Sequence, residues 1–147
     1  MRLRAYLLSL GDGAYTARTP EEDEAWRRSY RTWLGPVTAG DLPTVRVGVI
    51  DGAEGLSACA IAVVDHRAPT AYCPSGLAGW VQTVVVDPSV RGRGLGKSIM
   101  RDALTWLGES GAETVVLQTT GAGDPLYRAL GFNSTGEDLL YLNMRGC

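Results

Sequence analysis

Three glycines at alternate positions, Gly92, Gly94 and Gly96, stand among Arg91, Arg93 and Lys97, with Leu95 and Ser98 completing the stretch. Glycine lets a backbone approach an anion closely, and the first N–H groups of a helix point outward at the positive end of its dipole. The flanks suit that reading. An apolar, β-branched run over 81–86 reads as a buried strand, and Asp87-Pro88 stops it because proline cannot donate to a ladder. Behind the glycines, Leu95, Ile99, Ala103 and Trp106/Leu107 share one helical face. Strand, basic glycine turn and helix start together make an anion site, and phosphate is the natural ligand. A second chemical group, the Tyr127 hydroxyl, sits in the segment Leu126-Tyr-Arg-Ala-Leu-Gly131-Phe132.

Spacing sorts the phosphate ligands. A P-loop ending in Gly96-Lys97-Ser98 needs a glycine at 91, where Arg91 stands. A dinucleotide fingerprint starting at Gly92 needs a glycine at 97, where Lys97 stands. The pattern that fits is Arg-x-x-Gly-x-Gly, carried by Arg91, Gly94 and Gly96 and preceded by Val86-Asp87-Pro88. It resembles the acetyl-CoA-binding motif of the GCN5-related N-acetyltransferase (GNAT) superfamily. Tyr127 followed by Gly131-Phe132, one helix and one strand later, resembles the C-terminal motif of the same superfamily. The resemblance covers 45–142 and is weak before Thr19.

That resemblance implies an α/β fold of the α+β type. Its central sheet is mixed, mostly antiparallel, splayed between two parallel strands at 84–86 and 114–119, and flanked by helices. It implies acetyl-CoA as co-substrate; no metal is expected, on the separate ground that the chain has one histidine and no clustered cysteines. Arg91, Gly92, Arg93, Gly94, Leu95, Gly96, Lys97 and Ser98 would wrap the pyrophosphate. Val84, Val85 and Val86, where the strand splays at a bulge, would lend N–H groups to the acyl end. Asp124 would cap a short helix that aims Tyr127 at the thiol.

The implied reaction is direct attack by an amine on the thioester. The amine must be neutral, although free amines titrate at about 10.4. Tyr127 becomes the candidate general acid for the departing thiolate, whose parent thiol has a pKa of about 8.5. Some relatives carry a glutamate near the positions of Ala78 or Gln82, and no acid stands between Leu77 and Val86 here. The base is then water, relayed from Asp65, His66 or Asp87, or the acceptor arrives deprotonated. A non-catalytic acetyl-CoA-binding regulatory module is the alternative; the missing acid favours it and Tyr127 opposes it.

The elements that must hold these residues follow in order. Leu3, Tyr6, Leu7 and Leu10 form a helical face closed by Gly11 and Gly13. A strand and then a helix usually begin the resembling superfamily, so the first strand is expected to be absent or truncated, either naturally or because upstream residues are missing. Thr19-Pro20-Glu21-Glu22 starts a second helix with a capping box, and Gly35-Pro36 is expected to end it. Trp26, Tyr30 and Trp33 line one side of it, as core or as the wall of a substrate groove. Residues 45–49 and 56–64 read as a hairpin around the turn at 51–55, and 65–79 as a long loop. Gly111 caps the helix over 95–107, 114–119 is a strand, and Asp124-Pro125 starts the last helix. Phe132 and 139–142 are expected to supply a final strand.

Composition narrows the partners. The 147 residues suit one domain spanning 1–147, and the formal net charge of −2 gives no basic excess for nucleic acid. No apolar run approaches the roughly 20 residues of a membrane span, and the start lacks the apolar core of a signal peptide. Three widely spaced cysteines, Cys59, Cys73 and Cys147, read as free thiols in a reducing cytoplasm. The partners expected are a small-molecule or peptide amine and, as an allowed assembly, a second copy in a homodimer.

Overall fold

Alternation of small and large apolar residues along one central hairpin sets the layers. The structure, a computed structural model, describes residues 1–11 and 15–144. Its elements are α1 (Arg2–Ser9), α2 (Pro20–Ala39), β1 (Val45–Gly52), β2 (Gly55–His66), β3 (Leu77–Val86), α3 (Leu95–Glu109), β4 (Thr114–Leu117) and α4 (Asp124–Ala129). The four strands form one sheet in the order β1-β2-β3-β4. The first three pair antiparallel, and β4 pairs parallel with β3, to which α3 connects it. The expected mixed, mostly antiparallel sheet flanked by helices is the one found.

In β2, Ala58, Ala60 and Ala62 face α3, and their small side chains leave room for Ile99, Met100, Ala103 and Leu107, all buried. On the other face Cys59 packs with Val85 and with Leu3 of α1. Arg46 of β1 forks onto Asp102 of α3 at 3.0 and 2.8 Å. Both partners are about 42% exposed, so the pair contributes at most about 1 kcal/mol.

Several details differ from the sequence reading, and the strand expected over 114–119 ends at Leu117. Helix α2 runs through Gly35-Pro36 to Ala39. Gly40, at φ 82°, ends it, with the Gly40 and Asp41 N–H groups returning to the Val37 and Pro36 carbonyls. Proline is tolerated there because the interruption lies in the last turn. At the other end Thr19 caps Glu22 as expected, but the Glu22 carboxylate reaches the Arg18 N–H at 2.7 Å instead of completing the box on Thr19. The loop expected over 65–79 shrinks to 67–76, because β2 continues through Asp65-His66 and β3 begins at Leu77. Phe132 and 139–142 form no strand, and Leu140 and Leu142 stand exposed. Gly13, expected to help close α1, lies outside the described residues.

The misread loop end has an energetic reason. Gly79 lies buried in β3, and a Cβ there would sit 2.9 Å from both methyls of Leu107 and 3.2 Å from Val115. A glycine that signals a loop in sequence is here the flat spot on which α3 and β4 close. Gly79→Ala should therefore lower stability by about 1–3 kcal/mol in denaturant unfolding. A gain of stability from the better strand-forming residue would show that this close packing is not a constraint.

Candidate active site

The site begins where β3 leaves β4. The two strands pair only over Ala78–Val81 and Thr114–Leu117, and beyond that they part. In the same place β3 has one residue more than β2: Thr83 pairs with Ile61 and Val81 with Ala62, leaving Gln82 as a bulge. The bulge shifts side-chain parity, so Val81 before it and Val84 after it both reach the α3 side of the sheet. Sequence reasoning set the bulge at 84–86; it lies at Gln82, the one exposed residue of the 81–86 run. The Asp87 N–H bonds to the Ser57 carbonyl at 2.8 Å. Alternation along an antiparallel pair then sends the Val85 N–H to β2 and turns those of Val84 and Val86 toward the opening. Val85 was expected to donate with its neighbours; its N–H belongs to the ladder.

The opening is a cleft of about 540 Å³. One end is the glycine turn. Gly92 and Gly94 adopt φ 78° and 75°, which side-chain-bearing residues rarely take, and an added Cβ at either would meet nothing within 4 Å. Gly94 stands at the N-cap of α3 with no side-chain cap, so the first amides of the helix have no intramolecular acceptor. The space beside Gly92 and Gly94 is open, so an anion could approach these amides. Helix α1 closes one side through Tyr6, Leu7 and Leu10, none of which sequence reasoning assigned to the site. It is clamped there by the Arg2–Asp87 ion pair and by Arg91, which donates to the Tyr6 hydroxyl at 3.1 Å.

The other end carries Tyr127. The helix α4 starts at Asp124 with Gly123 at its N-cap, so Asp124 is its first residue rather than the cap expected; its carboxylate pairs with Arg128. What orients Tyr127 is the helix end. Gly131, at φ 95°, lets the Gly131 and Phe132 N–H groups return to the Arg128 and Tyr127 carbonyls at 3.0 Å each. The Phe132 ring then meets the Tyr127 ring edge-on, 6.1 Å between centroids. The Gly-Phe pair is thus the hydrogen-bonded stop and apolar clasp that close a helix on its third-last residue. Burial pushes the Tyr127 phenol above its usual pKa.

A second cleft, about 1330 Å³, lies on the α2 side of the sheet. The stripe of Trp26, Tyr30 and Trp33 is its wall, half-buried, with the Tyr30 and Trp33 rings stacked at 5.6 Å. Both clefts include Gln82, so they meet at the bulge.

Of the residues expected to bind the co-substrate, Val84, Val85, Val86, Arg91, Gly92, Gly94, Leu95, Gly96 and Tyr127 line the first cleft. Arg93, Lys97 and Ser98 are exposed outside its wall, and the Ser98 N–H is spent on the Gly94 carbonyl. Asp65 and His66 line neither cleft. Ser89 and then Arg2 hold the Asp87 carboxyl well below the usual carboxylate range, which makes it a poor base. Glu22, on the wall of the second cleft, was not singled out for chemistry in the sequence. Among the described residues no cluster could hold a metal ion, and no helix is long and apolar enough to cross a membrane. Cys59 and Cys73 are free; Cys147 lies outside the described residues.

Comparison with known proteins bears on this geometry. Glucosamine 6-phosphate N-acetyltransferase of Trypanosoma brucei brucei is 39% identical over 56 residues, 38% of this chain and 38% of that protein, so the chain matches well under half of that relative's length. The crystal structure of a GCN5-related N-acetyltransferase from Ralstonia eutropha JMP134 superposes with a TM-score of 0.77 at 26% identity, covering 96% of this chain and 88% of that one. A Clostridium acetobutylicum structure, a predicted acetyltransferase with acetyl-CoA, shares the fold at a TM-score of 0.75 and 18% identity, over 98% and 86% of the two chains. The family model for the GNAT acetyltransferase domain matches residues 46–134, a span holding the whole sheet except its first residue, the glycine turn and Tyr127, and the chain belongs to that family.

Proposed function

We propose that this single domain transfers an acetyl group from acetyl-CoA to a primary amine, with both substrates bound at once. The observation that carries the reading is the junction at Gln82, where a cleft ending in an anion-ready glycine turn meets a second cleft beside unpaired strand amides. A regulatory module that only binds the co-substrate has no need of the second cleft or of an aimed phenol.

Acetyl-CoA would supply an acyl group already activated as a thioester. The chain's own residues do the rest. The amides at the start of α3, with Arg91, hold the pyrophosphate. The Val84 and Val86 N–H groups meet the negative charge that builds on the acyl oxygen, and one such preorganised donor is typically worth about 3 kcal/mol. Tyr127 keeps a proton ready for the departing sulfur. A phenol titrates at about 10 against about 8.5 for a thiol, and burial raises Tyr127 further, so it remains protonated until the thiolate forms. The amine loses its proton to water in the second cleft, with Glu22 the carboxylate on that wall, or arrives neutral.

Tyr127→Phe should lower kcat by roughly 10²–10⁴ and leave the Kd for acetyl-CoA near wild type. Wild-type kcat in that variant would make solvent the source of the proton. The phenol must also titrate late. Of the six tyrosines, Tyr127 and Tyr30 are both raised, chiefly by desolvation. A raised pKa keeps the acid form as pH rises, so an alkaline limb of kcat due to Tyr127 should lie above pH ~10. Ultraviolet titration should show late-ionising phenols, one of which disappears in Tyr127→Phe. Ionisation of Tyr127 with the exposed tyrosines would contradict the assignment.

A further inference from the structure

The second cleft holds a charge that the reaction as described does not use. Among the described residues three arginines are half-buried: Arg4, Arg27 and Arg46. Arg27 is paired with Asp23 and Arg46 with Asp102, but Arg4 has no carboxylate partner. Its guanidinium donates once, to the hydroxyl of the buried Thr83, and lies 4.9 Å over the Tyr30 ring. Its Nε is the one buried side-chain nitrogen or oxygen among the described residues that lacks a hydrogen-bond partner. A desolvated cation without a counter-charge is costly, and the cost is relieved when an anion arrives. Among the described residues the other charged groups on the cleft wall are Arg18, whose guanidinium has no ion pair there, and Glu22, which accepts from the Arg18 N–H. The described wall therefore carries a net positive charge beside its aromatic rings. Thr83 follows Gln82, so the cation stands close to where the amine must meet the acyl group.

We propose that the acceptor is a primary amine that also bears an oxyanion, carboxylate or phosphate, and a flat or apolar body, with Arg4 binding the oxyanion. This rests on the acetyl-transfer reading for the amine, but the anion site is testable by binding alone. The guanidinium supplies the charge and the directional donors, and Trp26, Tyr30 and Trp33 supply the surface for the body.

Matched probes decide it. Calorimetric titrations would compare phenylalanine with phenethylamine, and tyramine phosphate with tyramine, each with and without saturating CoA. At least one anionic member should bind about tenfold or more tighter than its neutral partner, the size of one charge-assisted hydrogen bond. Preference within the first pair identifies a carboxylate, and within the second a phosphate. Arg4→Gln should reduce that ratio to near one with the melting temperature and acetyl-CoA affinity kept, and Arg4→Lys should recover part of it. Equal affinities in the wild type, a ratio that survives Arg4→Gln, or an equal loss for both members would overturn the proposal. Failure of both anionic probes to bind at a few millimolar would overturn it too. Absence of CoA binding with the ratio intact would count against the acetyl-transfer reading and leave the anion site standing.

Discussion

Two parallel strands that pair for four residues and then separate leave backbone amides with nowhere to go. Buried N–H groups are costly to leave unpaired, so a sheet does not part in its middle without something to fill the gap. Here β3 parts from β4 just past Val81, and the bulge at Gln82 is the device. It absorbs one extra residue, bends the strand, and lets the apolar run continue to bury Val84 on the same side as Val81. Nearly everything that makes a site depends on that parting: the amides of Val84 and Val86 turned outward, the cleft, and its meeting with the second cleft.

The two ends of the cleft are fixed by glycines for opposite reasons. At Gly92 and Gly94 positive φ angles free a row of amides and keep the space above them empty. At Gly131 a positive φ ties amides back onto carbonyls, and the tie reaches the residue that carries the phenol. One glycine motif exposes donors and the other consumes them. Between them α1 is a wall rather than a strut, held by a charge pair at Asp87 and by Tyr6 under Arg91.

Much of this was legible in the sequence because it is local. Positive φ needs glycine, so the turn at Gly92–Gly96 and the stops at Gly111 and Gly131 could be read directly. The face of α3 followed from its period. What was not legible depends on partners far along the chain. Gly79 reads as loop until Leu107 is seen resting on it. Pro36 reads as a stop until Gly40 is seen closing the helix four residues later. The bulge is marked only by a polar, exposed Gln82 inside a β-branched run, and it takes the register with β2 to show that this residue is the extra one. Arg4 was passed over because nothing in its neighbours reveals that it ends beneath Tyr30, half-buried and without a carboxylate. The aromatic stripe of α2 was ambiguous for the same reason: periodicity gives a face but not what the face meets.

The central claim is that the co-substrate lies in the parting of β3 and β4, phosphates on the α3 amides and thioester beside the β3 amides. Amide chemical shifts followed during titration with CoA and then acetyl-CoA test it most directly. The account predicts that CoA moves the Gly92, Gly94, Leu95 and Gly96 amides. It predicts further that the acetyl group adds changes at Val84 and Val86, while Val85 follows β2 and stays nearly still. Shifts confined to the aromatic cleft of α2, or a β3 that does not respond to the acetyl group, would contradict it.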